Sequence, residues 1–216
     1  MMKRTLRIGM LTAAALSLPG MQLMSLERER PADGTKEEFH DAMRKLWVDH
    51  VAWTRMYIVS AVAGLSDAKA TTDRLLQNQA DIGNAVAGFY GADAGTKLTA
   101  LLKDHILQAA ELVTASKAGD QAKATSAKAR WYANADEIAV FLAGANPKHW
   151  PVETLKSAMK THLDQTLEEA SDRIQGKYDE DIKDYEEIIA HILTMADLLS
   201  DGIIAQFPEK FAQKKM

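Results

Sequence analysis

The chain has 216 residues, of which 47% are hydrophobic, which is enough for one domain with a core that needs no disulfide. Its formal net charge is -4 at pH 7. Proteins that bind nucleic acid or anionic lipid need a positively charged surface, so neither is an expected partner. The absence of cysteine excludes disulfides, thiolate metal sites, c-type haem attachment and lipidation at an N-terminal cysteine.

The N-terminus has the pattern of a secretory signal. Three basic residues among the first seven precede an uncharged run over residues 8–18, which is short for a membrane span. We therefore predict a signal peptide over residues 1–20, with an uncleaved membrane anchor or a disordered N-terminus as the alternatives. Export predicts a periplasmic or extracellular protein, with no membrane span after the signal is removed.

The rest of the chain predicts an all-α fold. Residues 21–35 are charged and contain Pro31 and Gly34, which indicates a linker. Residues 36–213 are rich in Ala, Leu, Lys, Glu and Gln, and their apolar residues recur at helical spacing with almost no alternating period. This pattern predicts a single helical bundle domain.

A threefold repeat organises that domain. Each of three histidines is followed by a glycine 14 positions later, the pairs being His50 and Gly64, His105 and Gly119, and His162 and Gly176. A glycine at the end of a helix allows the left-handed cap that begins a turn. We therefore predict about six helices in three αα-hairpins, repeating every 55 to 57 residues.

A second polar residue follows each glycine on an apolar stripe, 14 or 15 positions on: Asn78, Asn134 and His191. Because the two arms of a hairpin run antiparallel, this residue and the histidine of the same repeat should lie at one height. The sequence therefore predicts a polar layer inside the bundle, made of His50, Asn78, His105, Asn134, His162 and His191.

One interpretation of this layer is a metal site. Imidazoles of His50, His105, His162 and His191 would be the ligands, with Asp81 or Glu137 as carboxylate ligands or as their hydrogen-bond partners. Such a site suits a transition metal such as zinc, copper or iron. The alternative is a buried hydrogen-bond network that fixes the register of the hairpins, because asparagine is a poor ligand for these ions.

A third interpretation is a site for a small polar or anionic ligand. Arg74 and Arg130 each stand four residues before a layer asparagine, Asn78 or Asn134, and so lie one helical turn away on the same face. These four residues would then bind the ligand. The alternative is that both arginines form ordinary surface salt bridges.

Several strings resemble a family of small, often exported bacterial helical proteins with no established function. They are LWxxHVxWTR at residues 46–55, RLLxNQxDI at 74–82, WYANAD at 131–136, NP at 146–147 and QFP at 206–208. The resemblance runs from about residue 46 to 211. It implies the limits of the domain and no activity.

The sequence thus predicts an exported helical binding or sensing protein, whose His/Asn layer binds a metal ion or a small polar ligand. Two alternatives stay open. One is a metal-dependent enzyme that uses the same histidines, with no catalytic residue assigned. The other is a structural or partner-binding bundle in which the polar network only fixes the register.

Overall fold

The computed structural model describes residues 35–211, which form six α-helices and one short 3-10 helix over Pro208–Phe211. The helices are α1 (Lys36–Ala63), α2 (Ala68–Tyr90), α3 (Ala92–Lys117), α4 (Gln121–Ala145), α5 (Val152–Gln175) and α6 (Tyr178–Gln206). The predicted all-α bundle is confirmed. The predicted signal peptide at residues 1–20 lies outside the described residues, as does the predicted linker up to residue 34.

Local signals in the sequence explain where the helices begin and end. At the start of α1, the Thr35 hydroxyl accepts from the Glu38 backbone N–H, and the Glu38 carboxylate accepts from the Thr35 backbone N–H. At the turns, Gly64, Gly119 and Gly176 have φ angles of 69°, 72° and 75°, which glycine adopts without strain. These are the three glycines that the repeat predicts at the hairpin turns.

The six helices form a closed ring. Each helix packs against the next one along the chain, and α6 packs back against α1. The odd-numbered helices α1, α3 and α5 also contact one another, so they lie towards the inside of the bundle. Because all three are followed by a turn glycine, these turns lie at one end, which we call the turn end.

The opposite end is closed by large side chains. Trp150, which is 1% exposed, packs against Gly202 of α6 so closely that a Cβ atom at Gly202 would lie 1.9 Å from the indole nitrogen. Phe39 of α1 packs there against Phe89 and Phe211, with ring centroids 5.1 and 5.2 Å away. This end of the bundle is therefore a well-packed core.

Helix α6 is the most apolar of the described helices. It is long enough to cross a membrane, and its mean hydropathy reaches 1.6 over 18 residues. Ile188, Ile192, Met195, Leu199 and Ile203 of α6 are buried in the core of the bundle. The core helix of a bundle can be as long and as apolar as a membrane-spanning helix.

Candidate functional site

Three buried histidines meet in the middle of the bundle, one from each inner helix. His50 of α1, His105 of α3 and His162 of α5 are only 3%, 3% and 4% exposed. The ring centroid of His162 lies 5.6 Å from that of His50 and 6.5 Å from that of His105. We call these three residues the histidine cluster, and the repeat predicts their convergence.

His105 uses both of its ring nitrogens inside the protein. Its Nδ1 lies 2.9 Å from Oδ1 of Asn134, and the indole N–H of Trp131 donates to its Nε2 at 3.0 Å. Because an indole nitrogen can only donate, Nε2 must be unprotonated and Nδ1 must carry the proton. Burial lowers the pKa of His105 to about 4, so it is neutral at pH 7.

His50 is held by the neighbouring outer helix α2. The side-chain amide of Gln79 lies 3.2 Å from Nδ1 of His50 and also donates towards the carbonyl oxygen of Leu75 and Oδ1 of Asn78. An amide nitrogen carries two N–H groups, and the contact with His50 is the longest of the three contacts that share them. Burial, with the nearby His105, lowers the pKa of His50 to about 3.

His162 is the member of the cluster with an unsatisfied nitrogen. Its Nδ1 is buried and has no hydrogen-bond partner within residues 35–211. Burial, together with the neighbouring His50 and His105, lowers the pKa of His162 well below its usual value. All three members of the cluster are therefore uncharged at neutral pH.

The second polar residue of each repeat makes the same hydrogen bond in all three hairpins. It donates from the outer helix to the inner-helix carbonyl four residues before the histidine: Asn78 to Leu46 at 3.0 Å, Asn134 to Leu101 at 3.1 Å, and His191 to Ala158 at 2.9 Å. Each of these bonds links the outer helix of a hairpin to its inner helix one turn before the histidine. Of the three histidines, only His105 bonds to the second polar residue of its own repeat, Asn134, whereas His50 contacts Gln79 and not Asn78.

The structure gives the predicted acidic ligands other surroundings. Asp81 accepts from the side chain of Gln77 at 3.2 Å and lies 3.9 Å from Arg74, both on its own helix. Glu137 is exposed on α4. Among residues 35–211, no group of three or more His, Asp or Glu side chains is arranged to hold a metal ion.

The predicted ligand-binding arginines also have other partners. The guanidinium group of Arg74 lies over the ring of Trp53, 5.4 Å from its centroid, and 4.0 Å from Asp49. Arg130 donates to Glu111 at 2.6 Å and to Ser126 at 2.7 Å on the surface. These contacts are the salt-bridge alternative that the sequence left open, and they give neither arginine a place in the cluster.

A cavity of about 420 Å³ lies between the histidine cluster and the turn end of the bundle. Its lining is mostly apolar and comes from five helices, chiefly α3 (106–116), α4 (121–131) and α5 (166–175). Trp131 lines it, as do Thr54 and Thr166, which each follow a histidine of the cluster by four residues. Both threonine hydroxyls donate to the backbone carbonyl of that histidine at 2.8 Å.

Small residues keep this cavity open, and the sequence patterns did not predict it. Ala109 and Ala110 of α3, Ala124 of α4 and Ala170 of α5 all line it. Larger side chains at these four positions would fill the space. The available signal was that alanines such as Ala109, Ala110 and Ala170 follow the histidines on the inner helices, which by itself also fits close helix packing.

A network of buried charges lies beside the cavity, also without a sequence prediction. Arg55 of α1 donates to Glu169 at 2.6 Å and to Asp181 at 2.7 and 3.1 Å, and Arg173 donates to Asp181 at 3.1 Å. The Glu169 and Asp181 side chains are 2% and 0% exposed. Burial raises the pKa of Glu169 to about 7, although Arg55 opposes this shift.

Comparison with known proteins identifies no relative, because no family model matches the chain and neither a curated protein nor a solved structure is significantly similar to it. The resemblance to exported bacterial helical proteins therefore stays a prediction. The function has to be argued from the histidine cluster and the cavity themselves.

Proposed function

We propose that this chain is a binding protein that holds a small, mainly apolar molecule in the cavity. The observation that carries the proposal is the cavity itself. Its volume of about 420 Å³ falls within the roughly 300 to 1,000 Å³ of small-molecule sites, whose linings are also mostly apolar. Protein interiors are otherwise packed with few voids larger than a water molecule.

The apolar lining of the cavity also favours a bound ligand. Ile58, Leu75, Ile106, Leu112 and Val113 all contribute apolar side chains to the lining. An apolar cavity of this kind forfeits dispersion contacts that filled core positions would make. A bound apolar molecule would restore these contacts, and this supports a ligand in preference to a purely structural bundle.

The histidine cluster borders the cavity on the side away from the turn end. Trp131 lines the cavity and donates its indole N–H to His105, and this hydrogen bond holds the indole ring in one orientation. The proposed role of the cluster is therefore to fix one wall of the binding site. In this proposal the cluster does not contact the ligand directly.

The other functions predicted from the sequence have less support. The metal interpretation needs several free imidazole nitrogens around one point. Nδ1 of His162 is free, but both nitrogens of His105 have partners, and residues 35–211 contain no group of three potential ligands arranged to hold a metal ion. The enzyme interpretation needs an acid or base within reach of a substrate, and the described lining of the cavity includes no His, Asp or Glu. The exported location predicted from residues 1–20 remains part of the proposal.

A cavity-filling variant tests the proposal. The probe is N-phenyl-1-naphthylamine, a neutral dye that fluoresces in apolar sites. We expect the dye to bind the wild-type protein, and Ala124→Phe to weaken its binding by at least about tenfold because the new ring occupies the cavity. Ala129→Phe is the matched control on α4, since Ala129 is exposed and does not line the cavity. It should bind the dye like the wild type.

A second filling variant covers the case in which Ala124→Phe does not fold. Ala170→Leu adds a smaller side chain from α5, and circular dichroism and thermal melting establish that each variant is helical. The proposal is wrong if the wild-type protein binds neither the dye nor a neutral alkyl compound such as decanol. It is also wrong if a folded filled variant binds the dye as tightly as the wild type does.

A further inference from the structure

The cavity is elongated along the axis of the bundle. Residues 106–116 of α3 and 121–131 of α4 line it side by side, which corresponds to a length of about 15 Å at 1.5 Å per residue. Ile58, Val113, Ala170 and Ile174 form an apolar lining towards the turn end. A long apolar space of this shape fits an alkyl chain better than a compact ring system.

One side of the cavity is polar where the first half of α4 faces the last half of α5. Gln121 and Thr125 of α4 and Gln175 of α5 line the cavity and are also exposed, so this side is its opening. Where the opening ends, Tyr132 of α4 donates to Asp164 of α5 at 2.6 Å and joins the two helices. The opening is therefore a slot between α4 and α5.

Lys128 is the charged residue at this slot. Among the described residues that line the cavity, it alone carries a formal charge at neutral pH. Its ammonium group lies over the ring of Tyr132, 5.6 Å from the centroid. The nearby Asp164 carboxylate is bonded to Lys160 and Tyr132 and attracts Lys128 only over a longer distance. In the described part of the chain, Lys128 therefore has no close ion pair.

From this arrangement we infer that the ligand is a carboxylate amphiphile with a medium-length alkyl chain. Its carboxylate would pair with the ammonium of Lys128 at the slot, and its alkyl chain would run towards the turn end against Ile58, Val113 and Ile174. Charge complementarity at Lys128 selects the head group, and the apolar lining selects the chain. This inference rests on the proposed function and names the class of its ligand.

Head-group specificity is the first test. Decanoate, decanol and decylamine share one alkyl chain, and each is titrated into the full chain by calorimetry below the concentration at which it aggregates. We expect decanoate to bind about fivefold more tightly than decanol, which is the contribution of a partly exposed ion pair, and decylamine to bind more weakly than decanol. Across hexanoate, octanoate and decanoate, affinity should rise by about fourfold per methylene.

Lys128→Met is the second test, because it removes the charge and keeps an unbranched apolar side chain. We expect it to weaken decanoate binding by about fivefold and to leave decanol binding unchanged. Lys123→Met is the matched control, since Lys123 is exposed on α4 and does not line the cavity. It should change neither affinity.

The two tests separate this inference from the proposed function. If decanol binds the wild type as tightly as decanoate does, or if Lys128→Met keeps the preference for decanoate, the inference is overturned and the apolar site stands. If neither these amphiphiles nor the neutral dye binds, both are overturned. A preference for decanoate that is lost in Lys128→Met supports both.

Discussion

The indole N–H of Trp131 donates to Nε2 of His105 at 3.0 Å, and this hydrogen bond joins the cavity to the histidine cluster. The same indole ring lines the cavity, and the other nitrogen of His105 is bonded to Asn134. The cavity wall and the polar layer are therefore parts of one arrangement. A change in the layer is expected to reach the cavity through Trp131.

Replacing single histidines by leucine should separate the bonded members of the cluster from the unbonded one. His105→Leu leaves the Trp131 N–H and Oδ1 of Asn134 buried without partners, so we expect a loss of about 2 to 5 kcal/mol in the free energy of unfolding. His162→Leu removes a nitrogen that has no partner, so we expect a change within about 1 kcal/mol or a gain.

Urea unfolding at pH 7 measures both effects, and the two variants serve as controls for each other because both replace a buried imidazole of an inner helix. Equal losses in the two variants would contradict the hydrogen-bond roles assigned to the cluster. A larger loss for His162→Leu would indicate that the Nδ1 atom of His162 has a partner that residues 35–211 do not supply.

The stability of the protein should fall as the pH falls from 6 to 5. The pKa values of His50 and His105 are lowered to about 3 and 4 and that of His162 is also well lowered, so the unfolded state binds about three more protons on these residues. Glu169 acts in the opposite direction, because its pKa is raised to about 7 in the folded state. Between pH 5 and 6 its carboxyl group is therefore protonated in the folded state and mostly ionised in the unfolded state. The net difference of about two protons corresponds to about 2.7 kcal/mol per pH unit.

Urea unfolding between pH 5 and 6 checks this slope. In His162→Leu the unfolded state loses one of its extra protons, so the slope should fall to about half. In Glu169→Gln the opposing group is absent, so the slope should rise to the value that corresponds to a difference of about three protons. A stability that does not change between pH 6 and 5 would contradict the burial of neutral histidines.

The buried charge network makes Arg55 a strong contributor to stability. Arg55→Met leaves Glu169 without its cation and Asp181 with Arg173 alone, so we expect a loss of about 3 to 5 kcal/mol in the free energy of unfolding at pH 7. Arg130→Met is the control, because Arg130 forms an exposed pair with Glu111 and should contribute at most about 1 kcal/mol. Similar losses in both variants would show that the network is not effectively buried.

Metal addition tests the interpretation that the sequence raised first. A metal bound to the folded state at 100 times its dissociation constant would stabilise the protein by about 2.7 kcal/mol. Because both nitrogens of His105 have protein partners, we expect equimolar zinc, copper or iron to leave the melting temperature of metal-stripped protein unchanged. A rise of several degrees that is lost in His50→Leu would restore the metal site.

Part of the candidate site was predictable because it depends on helical geometry alone. A fixed spacing of 14 residues between each histidine and its turn glycine places His50, His105 and His162 at the same distance from their turns, and so at one height when the three turns lie level. The partners of these histidines were harder to predict. Gln79, not the neighbouring Asn78, bonds to His50, because a single position along a helix changes which side chain faces the neighbour.

The amino-acid sequence by itself determined the six helices, the three glycine turns and the buried height of the histidines, because each of these follows from the period and the caps of single helices. Only the tertiary structure decided that Trp131 meets His105, that Arg55 meets Glu169 and Asp181, and that a cavity remains beside Ala170. These features depend on how five or six helices approach one another. The volume and direction of the side chains where two helices cross determine how closely the helices pack. The spacing of residues along the sequence does not specify this packing.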